Sequence, residues 1–274
     1  MILSIIDFRV RPLYKHYDTG FTKGDIDKFL RAFGYEESES MKKRTVESLI
    51  NELDEADVVK AVVPGRITFG TTNEELFEIL DLYPDKFIIY PFLDVTKPEQ
   101  ALEDIDKYII NGRGQGASIE PYLGNDVKFD DERIFPIYKK LEENNIPVLA
   151  NVSNLIGHYV DNTIPAQIDR ALTKFPNLKF IAGHAGWPWL NEMVSLTFKH
   201  PYLYLTADFN GTRGAGAEIL RHAALYMAQD QVIFASSYPY APVAPGIQSV
   251  RDWKLPPEIE QKVLYDNAAT ILGL

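Results

Sequence analysis

Arg9 and Arg11 stand two apart in the stretch IIDFRVRP, directly after a short apolar run. Residues two apart on a strand share a face, so two guanidinium groups would project side by side from the end of a buried strand. Guanidinium is permanently charged and donates in a planar fork that matches a carboxylate. Arg66, after the Pro-Gly of VPGR, is a third candidate for the same cluster. The net charge is −11. Arginines converging in a cleft of so acidic a chain point to a small anionic ligand, because a local field governs a small-molecule site. The plainer readings are surface arginines paired with nearby acids, and a loop charge at Arg66.

Other polar residues also close apolar runs: Glu120 in SIEPYL, Asn151 and Ser153 in VLANVS, His184 in GHAGWPW, Asp208 in TADFN, and Ser236, Ser237 and Tyr238 in ASSYP. His184, Glu120 and Asp208 are the groups able to move a proton, histidine being the usual base near neutral pH. Asn151, Ser153 and Ser237 offer neutral hydrogen bonds that would orient a substrate, and Tyr238 and Trp187 are candidate contacts to it. Each has a structural alternative. Glu120 could pair with an arginine, Asp208 could cap a turn, and Trp187 could simply pack. His16, His158, His200 and His222 stand in no supporting pattern.

The elements that must position these residues follow from the apolar pattern. Eight short runs recur along the chain: LSIIDF, DVVKAVVP, KFIIYPFLDV, GQGASIEPYL, IPVLANVS, LKFIAGHAG, YLYLTADF and QVIFASSYP. Helical stripes lie between them, at Val46, Leu49, Ile50 and Leu53, at Ile134, Ile137, Tyr138 and Leu141, and at Ile164, Ile168, Ala171, Leu172 and Phe175. Aromatic-Pro turns in LYPDKFIIY and KFPNLKFIA end a helix and reopen on a strand. Continuous apolar strands separated by helices predict a parallel sheet covered on both sides. Eight β-α units of about 30 residues predict an α/β fold, the (β/α)8 TIM barrel, whose chemistry sits at the strand C-termini. The rival doubly wound sheet would show a glycine-rich fingerprint after strand 1, and none is present. The expectation is a single domain over 1–274, with residues 14–40, polar and aromatic-rich, as an insertion capping the barrel mouth.

Composition bounds the partners. An acidic chain is a poor nucleic-acid binder and a poor ligand for an anionic membrane surface. Cysteine is absent, which removes thiolate chemistry, disulfides and Cys-based metal sites. No signal-peptide pattern opens the chain and no apolar run approaches the ~18 residues of a membrane span. A soluble cytoplasmic protein is the expectation.

The stretches FIAGHAGWPW and VIFASSYPY, with the ending LPPEIEQKVLYDNAATILGL and its Asn267, resemble the amidohydrolase-related family. Its branch here includes aminocarboxymuconate semialdehyde decarboxylase, γ-resorcylate decarboxylase and pyrone dicarboxylate lactonase. The resemblance spans nearly the whole chain. It implies a (β/α)8 fold, small carboxylate substrates, a homo-oligomer as one outcome, and a divalent metal. The metal is where this sequence departs. The family's strand-1 His-x-His positions are Arg9 and Arg11. Its strand-5 histidine is Asn151, its strand-8 aspartate is Ser237, and only the strand-6 histidine, His184, is kept. A divalent site needs about three convergent N or O ligands. Two unit charges at ~4 Å repel by about 4 kcal/mol at an effective dielectric near 20, so the arginines would expel a dication. The expectation is no metal and no cofactor. The first functional expectation is a metal-independent hydrolase, lactonase-like, holding a small carboxylate with arginines. The alternatives are a lyase (decarboxylase or hydratase) or isomerase on a similar acid, and a non-catalytic anion-binding pseudoenzyme.

Overall fold

The computed structural model describes residues 4–121, 127–153 and 159–274. Eight parallel strands alternate with helices: β1 (Ile5–Asp7), β2 (Val58–Pro64), β3 (Phe87–Tyr90), β4 (Ala117–Ile119), β5 (Val148–Asn151), β6 (Phe180–Gly183), β7 (Leu203–Ala207) and β8 (Val232–Phe234). Each falls inside one of the eight apolar runs. The ladders run β1-β2-β3 and β4 through β8 in chain order. Two isolated parallel bridges join the two sheets into a ring, Phe92 with Ser118 and Val10 with Tyr238. Backbone bonds reinforce both seams. Leu93 N donates to Ser118 O at 2.9 Å, and Phe8 N donates to Phe234 O at 3.1 Å. The fold is the (β/α)8 barrel that the alternation predicted.

Strand side chains alternate between two compartments. Ile6, Val62, Ile88, Leu149, Ile181, Tyr204 and Ile233 fill the barrel interior, and Ala268, Ala269 and Ile271 of the C-terminal helix pack against them. The opposite parity, Ala61, Val63, Ile89, Val148, Ala150, Phe180, Ala182 and Leu205, packs against the surrounding helices. The predicted helical stripes are those helices' inner faces. Val46, Leu49, Ile50 and Leu53 are the buried residues of Val46–Glu55. Ile168, Ala171 and Leu172 lie on the buried face of Pro165–Lys174, while Ile164 and Phe175 of the predicted stripe fall just outside it as its N- and C-caps. Asn267 is structural: its amide donates to Gln229 O and Val232 O at 2.8 Å each, tying the C-terminal helix to β8.

Residues 14–40 contain the helices His16–Gly20 and Lys23–Phe33 and the start of Glu39–Lys43. Thr22 caps Lys23–Phe33 at its N-terminus, accepting from Asp25 N. Gly34 ends it in the left-handed region, at φ 66°. Among the described residues, no helix is long and apolar enough to cross a membrane.

Candidate active site

The inward parity of the strands continues past their C-terminal ends and delivers the polar residues. Arg66 lies four residues beyond interior Val62. Glu120 follows β4, Asn151 ends β5 two beyond Leu149, and Asp208 lies four beyond Tyr204. Strand β1 is the exception. Ile6 and Phe8 face the interior, but Val10 belongs to the outer compartment. The chain bends at Phe8, and Arg9 and Arg11 thereby both take the inner side. Gly183 makes room for this. A Cβ there would meet Ala150 O at 2.9 Å and Arg9 Nη1 at 3.3 Å.

His184 does not follow the parity; it is turned by its backbone. His184 and Ala185 have φ of 60° and 48°, and Ser237 at the end of β8 has φ 60°. Left-handed conformations at non-glycine residues cost of order 1–3 kcal/mol each and gather at functional sites. These turn His184 and Ser237 toward Asp208. Asp208 Oδ2 lies 2.7 Å from His184 Nδ1 and 3.6 Å from Arg9 Nη1, and accepts from Ser237 Oγ at 3.0 Å. The contact with Nδ1 is close without being a hydrogen bond, so it is electrostatic. Arg9 Nη1 meets the other ring nitrogen, Nε2. Arginine only donates, so Nε2 must accept and the ring proton sits on Nδ1, facing Asp208. Burial first, and then the Arg9 charge, lower His184 to a pKa of about 4. The ring is therefore a neutral imidazole whose tautomer is fixed by its two neighbours.

A second charged pair lies beside the first. Arg66 Nε is 2.8 Å from Glu120 Oε1, with both side chains 3% exposed. Asn151 Nδ2 donates to that same oxygen at 3.0 Å. The Arg66 guanidinium also lies over the Phe69 ring, 4.6 Å from its centroid. Arg11 differs from both. It is 3% exposed, and no carboxylate comes within 4.0 Å of it and no side-chain hydrogen bond holds it among the described residues. Burial, followed by the charges of Arg9 and Arg66, lowers its pKa to about 9.

These groups open on a small cavity. Arg9, Arg11, Arg66, His184 and Ser153 form its polar floor, and Phe29, Phe209 and Tyr240 form an aromatic wall. Its free space for a water-sized sphere is about 10 Å³, room for about one water. The wall is continuous. Phe29 stacks on Tyr240 with centroids 4.0 Å apart, and meets Phe209 edge-on at 5.5 Å. Phe29 comes from helix Lys23–Phe33, so the 14–40 segment supplies part of the site.

The family model described as Amidohydrolase matches residues 33–274. The chain belongs to the amidohydrolase family. Its barrel is similar to the crystal structure of an uncharacterized TIM-barrel protein from Bordetella bronchiseptica, at 27% identity and TM-score 0.91 over 99% of each chain. It is also similar to a 2,6-dihydroxybenzoate decarboxylase from Rhizobium, at 14% identity and TM-score 0.76 over 99% of each chain. A 5-carboxyvanillate decarboxylase from Novosphingobium aromaticivorans, solved with manganese, matches at 17% identity and TM-score 0.70, over 100% of this chain and 97% of that one. No curated protein matches the chain by sequence.

Within this amidohydrolase barrel the residues singled out from sequence divide into three groups. Arg9, Arg11, Arg66, Ser153 and His184 converge on the cavity. Asp208, Glu120, Asn151 and Ser237 are buried and held by their neighbours; Asp208 and Glu120 each face an arginine instead of standing free as a base. Tyr238 and Trp187 do not line the cavity. Ser237 turns inward, so the next side chain turns outward, and the Tyr238 hydroxyl receives a hydrogen bond from Ser40 at 3.1 Å. Trp187 packs, half-buried, against the main core. His16 and His200 pair with Glu75 and Asp169, His222 lies beside Tyr226, and His158 lies outside the described residues. Phe29, Phe209 and Tyr240 were not anticipated as site residues. The available signal was an aromatic placed just past each strand-end polar group, in ADFN and SSYPY.

The donor set does not fit the family's metal. Among the described residues no group of three or more His, Cys, Asp or Glu side chains could hold an ion. The lone pair His184 would give a cation already accepts from Arg9.

Proposed function

We propose that this chain is a metal-independent lyase that removes the carboxyl group of a small, planar, hydroxylated carboxylic acid. The carrying observation is a buried guanidinium, Arg11, without a carboxylate partner among the described residues, beside a neutral imidazole backed by a carboxylate, under an aromatic wall. Arg11 would pair with the substrate carboxylate, and Phe29, Phe209 and Tyr240 would pack its ring. The substrate hydroxyl takes Arg9's place at His184 Nε2 and gives up its proton there. Asp208 stabilises the imidazolium, as a carboxylate behind a catalytic histidine does. Arg9 stabilises the oxyanion left on the substrate. A ring with so low a pKa is a strong acid once protonated, and it passes the proton to the carbon bearing the carboxylate. The C–C bond then breaks, its electrons restore the aromatic oxyanion, and CO2 leaves. A solvent proton completes the product.

The hydrolytic expectation has Asp208, Glu120 or His184 activate water, and only the neutral His184 is left without an opposing arginine charge pair to do so. Asp208 and Glu120 are both committed to arginines, and two of the similar structures are decarboxylases. Both points favour the lyase. The test is release of labelled CO2 from carboxyl-labelled hydroxybenzoates, with and without chelator. Turnover is expected to survive chelation and to fall at least 10³-fold in His184→Asn while binding persists. Lactone opening with no CO2 release would return the assignment to hydrolysis. Loss of turnover on chelation, restored by manganese, would refute metal independence.

A further inference from the structure

The charges at the barrel mouth set the charge of the ligand, an inference that rests on the carboxylate-binding reading above. Arg9 faces Asp208 at 3.6 Å and Arg66 faces Glu120 at 2.8 Å, so each of these cations already has a buried counter-charge. His184 is neutral. Asp7, at the base of the cluster, is fully buried and accepts from the backbone N–H groups of Arg9 and Ser236. Burial raises it to about 7, so it is largely protonated in mildly acidic solution. Arg11 remains as one cation without a carboxylate at 4.0 Å or closer among the described residues. Its Nε is buried and without a hydrogen-bond partner. Buried ions are stable only when paired, and a bound anionic ligand would supply that partner once the aromatic wall gives way to admit it.

We infer that the site selects a ligand that enters as a monoanion: one carboxylate pairs with Arg11, and a ligand bringing a second carboxylate is rejected. A second carboxylate would find no uncommitted arginine among the described lining residues and would have to lose its hydration against the Phe29, Phe209 and Tyr240 rings. A neutral amide would leave Arg11 unpaired. The selection therefore runs against charge on both sides of −1.

Calorimetric titration of the full-length protein at pH 6 with benzoate, benzamide and isophthalate tests this on rings of similar size. Benzoate is expected to bind at least tenfold tighter than either of the others. Arg11→Met is expected to erase that preference, and Arg11→Lys to keep it at reduced affinity. Thermal unfolding reports whether Arg11→Met folds; if it does not, Arg11→Gln takes its place. Isophthalate binding as tightly as benzoate overturns the inference. So does a folded Arg11→Met that keeps the benzoate preference, or wild-type protein with no measurable benzoate binding. If no CO2 is released but this binding order holds, the lyase reading fails and the charge selection stands.

Discussion

Three arginines lie within one cluster, yet each is held differently, and the difference is measurable. Arg66 and Glu120 are a buried pair. Breaking such a pair from one side leaves an uncompensated buried charge and costs about 3–5 kcal/mol. Arg66→Met should therefore unfold at markedly lower denaturant concentration than wild type. Arg11 has no such partner among the described residues, and its burial is itself unfavourable. Arg11→Met should unfold at the same or higher denaturant concentration while losing anion affinity, the usual exchange of stability for function. Equal destabilisation by both substitutions would show that Arg11 is as firmly paired as Arg66.

One helix is responsible for covering the site. Lys23–Phe33 is bounded by the Thr22 cap and by Gly34, and its Phe29 closes the aromatic wall against Tyr240. Room for about one water cannot take a ring, so a substrate must separate this helix from the barrel. Phe29→Ala removes the stack, worth about 0.5–1.5 kcal/mol, and a wall contact to the ligand. The expected outcome is a several-fold rise in KM with kcat nearly unchanged. Steady-state kinetics on the best hydroxybenzoate checks it; a collapse of kcat alone would place Phe29 in the chemistry instead of the cover.

Across the whole molecule, two buried groups tilt stability in opposite directions with pH. His184 titrates near 4 in the fold against an ordinary 6.5, so the unfolded chain binds more protons between these values. Its contribution to stability is lost as pH falls through that window. Asp7 is raised from 3.8 to about 7; the folded chain binds more protons, and stability is lost as pH rises through that window. At about 1.4 kcal/mol per pKa unit, each slope amounts to a few kcal/mol, and the two largely cancel between about pH 4 and 6.5. Single substitutions should expose them. Asp7→Asn should gain stability as pH rises from 4 to 6.5, and His184→Asn should lose it. Denaturation midpoints across that range are the measurement, and variants that track wild type would show that neither group carries the shift.

The sequence by itself determined the barrel, because apolar runs and helical stripes are local patterns and only one closed arrangement buries eight of each. It also determined that Arg9 and Arg11 follow the first strand and that His184 stands at a strand end; the side the two arginines take was decided by the bend at Phe8, which strand pitch does not reveal. The tertiary structure decided the rest. Whether a buried carboxylate is free or paired depends on distances across the barrel, so Asp208 and Glu120 became partners of Arg9 and Arg66 only in three dimensions. The facing of Tyr238 and Ser237 depends on one left-handed residue that no periodicity reveals. The site's cover depends on Phe29, which lies 155 residues or more along the chain from His184, Phe209 and Tyr240. What IIDFRVRP could not say is that its second arginine is the one of the three with no carboxylate at 4.0 Å or closer among the described residues; that follows from which counter-charges the fold brings to the other two.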